Sequence, residues 1–489
     1  MPPTYSDSLS KDFYQTPMHR RQWISLFFDE AGPDLSNIGK LYKAHPGGRA
    51  EGFYRFYYGG GSRGSGGNTP AEQVPAAHST ADLDPYQISH ALYDLSQSLS
   101  TSETLTEHNI ALFGSGRGAA SAWRLASILV EQGIPNPRHP GQPFRIGHDF
   151  RIRFLGLFDT LTNGAIGVES SPPPPLATIP PSVESALHLI AAHERRAHYE
   201  VQSLRRTADS PLLPQHQERL CPGQHGDVTG SYAQGEQGRR NELARVPLHQ
   251  MLAAALQQEV PLLSLPQLKA RDPEFYAEWV IPQELAGLHL EYNRRLRPET
   301  DLYREWAHHE CLYCRWLCLL ADESTELTGI LQQSLTASAD SNERNPEQAR
   351  ELELARQALC EEVASARWRR IVAEGGIPDF DPPDSACDRK LLDELGPKER
   401  AYRRIGSNAL VAKPLQAHER DMLTWMQIAE PLPTSIQQFF ACYVHDGIAH
   451  SRGDHYLQRR TLYFREAPPW HQAIGRAREL ATGGFNAPE

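Results

Sequence analysis

The sequence has no long apolar run, no excess of basic residues and no apolar leader. None of its apolar stretches approaches the roughly 20 residues that cross a bilayer, so we expect a protein that does not span a membrane. The 49 Lys and Arg against 60 Asp and Glu leave a net charge of −11. This balance argues against nucleic acid as a partner, because phosphate binding needs clustered cations. The opening MPPTYSDSLSKDFYQTPMHRRQW lacks the core of a secretory signal, which predicts synthesis in the cytoplasm.

Cysteine is also scarce, and its distribution does not suggest disulfides. The seven cysteines are an odd number and unevenly spaced, unlike a disulfide framework. Cys311, Cys314 and Cys318 have i, i+3, i+7 spacing and therefore share one face of a helix. A structural zinc site normally needs a second ligand pair, and no second CxxC motif occurs. We interpret this stripe as helix core, with a metal site or a bilayer contact as alternatives, and we expect neither metal nor cofactor.

The first half of the chain alternates strand-like and helical patterns. Apolar runs at 21–29, 52–58, 110–115 and 150–159 are typical of strands, and helical patterns at 36–42, 86–99 and 118–131 lie between them. This alternation is typical of a parallel sheet covered by helices. The stretch 182–199 is predicted to be a further helix. From about residue 248 helical patterns dominate, with interruptions at 336–346 and near 380.

These patterns predict an α/β fold. We expect a mostly parallel sheet with helices on both faces, followed by a mainly helical C-terminal region. The predicted organisation is an N-terminal extension over 1–20, a hydrolase-like domain over 21–250, and a helical cap or membrane- or partner-facing region over 251–489.

The stretch IALFGSGRGAASAWRLASIL has the layout of a nucleophile elbow, in which a strand runs through a tight turn into a helix. The turn needs small residues two positions before and after the nucleophile. Centred on Gly116, those positions are Gly114 and Gly118; one residue earlier they would be Phe113 and Arg117, which are too large. The start of the following helix would supply N–H groups for an oxyanion. The sequence therefore predicts an elbow without its nucleophile, or else a plain glycine-rich turn.

Five stretches resemble, in the same order, motifs of the bacterial type VI secretion phospholipase effectors, a lipase-effector family with an α/β-hydrolase domain. FGSGRGAASAWRLA is similar to the family's FGFSRGAxxAR signature. FFDEAGPDLSNIGKLY, RFLGLFDT, HLIAAHERRAHY and CPGQHGDVTGSY are similar to its FFDGT opening, FLGVWDTV strand, HALAIDERR helix and FPGVHSDVGGGY segment. The resemblance implies a carboxylic-ester hydrolase fold whose reaction is phospholipid deacylation through an acyl-enzyme.

The resemblance also implies a triad in the chain order nucleophile, acid, histidine. Gly116 occupies the nucleophile position, Asp159 would be the acid, and His225 would be the base, with Asp227 as the alternative acid. In such a triad the histidine takes the proton of the nucleophile, and the carboxylate orients the imidazole. A strand-end carboxylate that caps a turn, and a solvated His-Gly-Asp loop, are the structural alternatives.

Two departures from the family pattern fall where the chemistry would occur. Glycine replaces serine at 116, and Glu30-Ala31 replaces Gly-Thr after Asp29, the motif residue that ends the first strand. Ser115 could act as a substitute nucleophile only by a register shift, because its side chain should point away from the tip of the elbow. Without the serine, acyl transfer should fall by on the order of 10⁶, leaving roughly 10³ over water.

Three functions follow from these observations. The first is a lipase-effector-like protein with a phospholipid or acyl-ester substrate; the second is a catalytically inactive relative that binds a lipid or a partner. The third is a hydrolase that uses water activated by His225 and Asp159. The family implies a secretion-apparatus spike, an immunity protein and peripheral membrane contact as partners, and delivery from the bacterial cytoplasm into a target cell. His445 and Asp446 lie in a segment similar to the family's YVHDS and are expected to dock the C-terminal tail.

Overall fold

The computed structural model describes residues 21–32, 34–49, 51–59, 83–101, 107–162, 176, 178–336, 430–448 and 458–465, and single residues 354, 368, 369, 371, 390, 421, 422, 425, 428 and 451. Its helices and strands are β1 (Arg21–Asp29), α1 (Asn37–Ala44), β2 (Phe53–Gly59), α2 (Leu83–Ser100), β3 (Glu107–Ser115), α3 (Gly116–Glu131), β4 (Arg151–Phe158), β5 (Ala186–Ala191), β6 (Val201–Gln202), β7 (His216–Cys221), α4 (His225–Thr229), α5 (Arg245–Gln257), α6 (Leu265–Arg271), α7 (Pro273–Ala277), α8 (Gln283–Arg295), α9 (Leu302–Thr336), α10 (Thr434–Tyr443) and β8 (Leu462–Tyr463).

Six strands form one sheet in the order β2-β1-β3-β4-β5-β7, and every neighbouring pair is parallel. The chain first builds β1 and β2, then returns to place β3 on the other side of β1. The carboxyl ends of β1 and β3 therefore flank the point where the strand order reverses. Open α/β sheets form their ligand crevices at such points. The predicted α/β fold is confirmed.

Helices cover both faces of this sheet, as predicted. One core cluster joins the sheet to α2 and α3, and the other joins it to α1, α5 and the chain as far as Trp279. Strands β1, β3, β4 and β5 are consequently buried along nearly their whole length. Central strands covered on both faces have continuous apolar sequences, which is why β1, β3 and β4 could be predicted.

The predicted helix over 182–199 is wrong. Residues Ala186–Ala191 form β5, between β4 and β7, and all six are buried. A short apolar run such as ALHLIA cannot be assigned to a buried strand or a buried helix by its periodicity. The alanines and the following Glu-Arg-Arg favour helix, but the position between two parallel strands decides the conformation, as tertiary context commonly does.

The later helices form a separate core. Helices α8, α9 and α10 contribute to a cluster that includes Tyr292, Cys314, Trp316, Phe439 and Phe440. The cysteine stripe interpreted as helix core lies in α9, where the first two cysteines are buried. Strand β8 returns to pair with β6. Among the described residues, no helix is long and apolar enough to cross a membrane. The extension 1–20 and the interruptions after residue 336 and near 380 lie outside the described residues.

Candidate active site

The turn between β3 and α3 has the shape of a nucleophile elbow. Gly116 has φ +53°, a left-handed conformation that non-glycine residues rarely adopt. A Cβ atom at Gly114 would lie 2.5 Å from the Cα of Ala119, and one at Gly118 would lie 2.4 Å from the carbonyl oxygen of Phe28. The turn therefore requires glycine on both sides of residue 116, as the spacing predicts.

Ser115 does not face the site. Its side chain is buried, and its hydroxyl donates a hydrogen bond to Oδ1 of Asp29 over 3.1 Å. The carboxylate of Asp29 also accepts hydrogen bonds from the hydroxyls of Tyr57, at 2.6 Å, and Ser36. Burial raises the pKa of this carboxyl. Asp29 thus organises the carboxyl end of β1 and holds Ser115 away from His225.

Asp159 and His225 lie together, as the family resemblance implies. His225 is at the start of α4, and its Nδ1 donates to Oδ2 of Asp159 over 2.7 Å. Both nitrogens at the end of the Arg460 guanidinium donate to Asp159, at 2.8 Å each. Sequence reasoning missed Arg460, because nothing near it in the sequence points to Asp159, which lies 301 residues away.

Asp227, the alternative acid, has different partners. Its Oδ2 accepts from the backbone N–H of Gln224 at 2.9 Å and so caps α4. Its Oδ1 lies 2.6 Å from Nδ1 of His445, which is buried and stacks on Tyr232. The carboxylate therefore joins the start of α4 to the C-terminal tail. The tail docks here through His445, and Asp446 follows with its N–H bonded to Gln237.

The carboxylate of Glu30 lies at the tip of the turn, beside Gly116. One carboxylate oxygen is hydrogen-bonded to Nε2 of His225, and the other accepts from the backbone N–H of Arg117 at 3.2 Å. A Cβ atom built on Gly116 would lie 1.9 Å from Oε2 of Glu30. The side chain that replaces the family's glycine after Asp29 thus fills the space that a serine at 116 would need. Sequence reasoning singled out this position but not its contact with His225.

The two carboxylates hold His225 in its charged form. Burial by itself would lower the pKa of His225, but Glu30 and Asp159 raise it to about 9. Burial likewise opposes ionisation of Glu30, yet the imidazolium lowers the pKa of its carboxyl. For Asp159, burial is outweighed by Arg460, and the pKa lies well below its usual range. At neutral pH an imidazolium therefore lies between two carboxylates, unlike the neutral base of an acyl-transfer triad.

The rim of the site is aromatic and cationic. The ring of Tyr199 meets that of His225 edge to face, with 4.9 Å between centroids. The Arg196 guanidinium lies 3.6 Å from the centroid of Tyr199 and is paired with Glu194 at 2.7 Å. The same oxygen, Oε2 of Glu194, also accepts from the backbone N–H of His225 at 3.2 Å. The charged groups next to His225 are therefore the carboxylates of Glu30 and Asp159 and the Arg196–Glu194 ion pair.

The free energy of unfolding should fall as the pH rises from about 6.5 to about 9. The pKa of His225 is about 9 in the folded protein and near 6.5 when unfolded. Between these values the folded state binds more protons, so the contribution of the imidazolium is complete below the lower value and lost above the higher one. Urea unfolding from pH 6 to pH 10 measures this slope. Glu30→Gln should reduce it, and equal slopes for both proteins would contradict the assignment.

Comparison with known proteins relates one segment of the chain to a family of effectors. Residues 140–254, which include Asp159 and His225, match the family model of the T6SS phospholipase effector Tle1-like catalytic domain. A search of curated proteins finds no match.

Two solved structures are also similar. The crystal structure of an uncharacterized protein from Pseudomonas aeruginosa has a TM-score of 0.58 at 18% identity, covering 93% of this chain and 81% of that chain, and so shares the fold. The Tle1 effector bound to the VgrG spike of the type 6 secretion system has a TM-score of 0.40 at 16% identity, over 56% of this chain and 79% of that chain.

Proposed function

From the relationship of this chain to the Tle1-like phospholipase effectors of type VI secretion, we propose that it binds phospholipid without cleaving it through an acyl-enzyme. A single observation carries the proposal. The carboxylate of Glu30 stands where the serine nucleophile would act, bonded to both His225 and the N–H of Arg117. The chain keeps the acid Asp159 and the base His225. In place of the serine hydroxyl that His225 would activate, the site holds the Glu30 carboxylate, which forms an ion pair with His225.

The chemistry of Glu30 supports loss of ester cleavage. Its attack on an ester carbonyl would form an anhydride, which is less stable than the ester, so a carboxylate here does not substitute for serine. The N–H of Arg117 is the donor that would stabilise an oxyanion, and it already bears a carboxylate oxygen. Ser115 offers no replacement, because its hydroxyl is bonded to Asp29.

Hydrolysis by activated water fits less well than binding. That mechanism needs a neutral His225 to accept a proton from water. Glu30 and Asp159 instead raise the pKa of His225 to about 9, and both ring nitrogens face carboxylates. A water molecule would have to displace Glu30 before it could reach the base.

The remaining features of the family are extended to this chain as parts of the same proposal. We propose delivery by type VI secretion, contact with the secretion-apparatus spike and an immunity protein, and peripheral contact with a membrane. Residues 21–250 would form the hydrolase-like unit and 251–489 the cap or membrane- or partner-facing region. The proposed boundary falls within helix α5 (Arg245–Gln257).

Vesicle binding and lipid hydrolysis, measured together, test this function. We expect the purified protein to sediment with phosphatidylethanolamine–phosphatidylglycerol vesicles while fatty acid release stays at background. His225→Ala, which removes the base, is the matched control for hydrolysis, and its fatty acid release should equal that of the unmodified protein. Fatty acid release that disappears in His225→Ala would contradict the loss of ester cleavage, and absence of sedimentation would contradict lipid binding.

A further inference from the structure

The elbow already holds a carboxylate, and that carboxylate belongs to the protein itself. We propose that the site recognises the free carboxylate of an acyl chain, and that Glu30 is an internal ligand which such a carboxylate displaces. This inference rests on the proposed function in that the elbow binds without forming an acyl-enzyme, and it adds a ligand at the same site, a free fatty acid, whose head group is a carboxylate.

Two donors of different kinds define the recognition. One is the backbone N–H of Arg117, in the first turn of the 16-residue helix α3. The other is the buried imidazolium of His225, held in orientation by Asp159 over 2.7 Å. A helix N-terminus favours anions, and an ionised donor strengthens a hydrogen bond to a carboxylate. Glu30 accepts from both donors at once, one through each oxygen.

The charge of the site selects a monoanion. With Glu30 in place, the imidazolium of His225 is balanced by one carboxylate, and Asp159 is balanced by Arg460. Exchange of Glu30 for another carboxylate keeps this balance, whereas a dianionic phosphate monoester would add a negative charge next to Asp159. The Glu30 side chain is 14% exposed. The Glu30 carboxylate, which an entering ligand must displace, therefore has a path to solvent.

An acyl carboxylate suits the surroundings better than a small polar acid. The ring of Tyr199 lies against His225 at the rim, and Arg196 covers that ring. A hydrocarbon tail can pack on the aromatic ring.

Displacement makes a specific prediction for Glu30→Gly. A ligand that competes with an internal group has its affinity reduced by the fraction of time that the site is open. Removal of Glu30 should therefore strengthen the binding of octanoate, a soluble acyl carboxylate, by on the order of 10-fold or more. Glu51→Gly, at an exposed turn, is the matched control and should bind octanoate as the unmodified protein does.

Proton linkage gives a second readout that a structural role for Glu30 would not produce. In the unmodified protein His225 remains charged before and after the exchange, so octanoate should bind without proton uptake at pH 7.5. In Glu30→Gly the pKa of His225 falls with the loss of its partner, and octanoate should bind with uptake of a proton. Calorimetry in buffers of different ionisation enthalpy measures this difference.

The experiment is calorimetric titration of the unmodified protein, Glu30→Gly and Glu51→Gly with octanoate, 1-octanol and octyl phosphate. We expect tight binding only for octanoate with Glu30→Gly, with linked proton uptake. Equal affinity of octanoate and octanol, preference for octyl phosphate, or no gain in Glu30→Gly that retains its thermal unfolding transition would each overturn the proposal. These outcomes are independent of vesicle sedimentation and ester hydrolysis, which test the proposed function separately.

Discussion

The double variant Gly116→Ser/Glu30→Gly is expected to hydrolyse p-nitrophenyl butyrate, while the unmodified protein does not. It places a serine at the tip of the elbow and removes the carboxylate that would lie 1.9 Å from the new Cβ atom. The Asp159–His225 bond and the N–H of Arg117 are already in place. Because loss of the nucleophile costs on the order of 10⁶ in rate, we expect a gain of at least about 10³ from its return. Serine at φ +53° should cost about 1–3 kcal/mol of stability.

The single variant Gly116→Ser separates the two effects. Glu30 can swing aside sterically, but it still competes with the serine for His225. Glu30 remains next to His225 and keeps its pKa raised, so less of the imidazole is neutral at pH 7 and this variant should be at least about 10-fold slower than the double variant. Its rate should rise with pH up to about 9, whereas the rate of the double variant should level off at lower pH.

Two further variants control this experiment. In the background of the double variant, His225→Ala should abolish hydrolysis, and Ser115→Ala should preserve it because Ser115 is bonded to Asp29. Hydrolysis by the unmodified protein, or its loss on Ser115→Ala, would mean that the nucleophile lies elsewhere.

Replacement of Arg460 by methionine should strongly destabilise the protein. The guanidinium is fully buried and binds both oxygens of Asp159, which is itself buried. Removal of one partner of a buried ion pair typically costs about 3–5 kcal/mol, because the remaining charge is left uncompensated. Chemical denaturation followed by tryptophan fluorescence measures the loss. Arg304→Met, at an exposed position of α9, is the control, and a loss for Arg460→Met no larger than for this control would contradict the argument.

The sequence carried enough information to predict the frame of the site. Buried parallel strands have continuous apolar runs, and the elbow needs glycine at Gly114 and Gly118 because backbone atoms approach within 2.6 Å of the positions that side chains would occupy. These constraints are local, so they can be recognised in a single chain. The strand β5 was missed because its short apolar run has no distinguishing period.

The partners of the site could not be predicted because they come from distant parts of the chain. Glu30 and His225 are 195 residues apart, and Asp159 and Arg460 are 301 apart. Nothing in the local sequence pattern shows that Glu30 accepts a hydrogen bond from the first turn of α3. Nor does it show that Asp227 binds His445 and not His225. These choices depend on the order of strands in the sheet and on the docking of the tail.

The distance along the chain between Asp159 and Arg460 has a consequence for biosynthesis. A ribosome adds roughly 5–20 residues per second, so the 301 residues between them take roughly 15–60 s to synthesise. During that interval the strands of the sheet can emerge and pair, but the aspartate at the end of β4 has no guanidinium to bind. The nascent protein would therefore complete its sheet early, and the edge that carries Asp159 and His225 would be completed last, when Arg460 emerges.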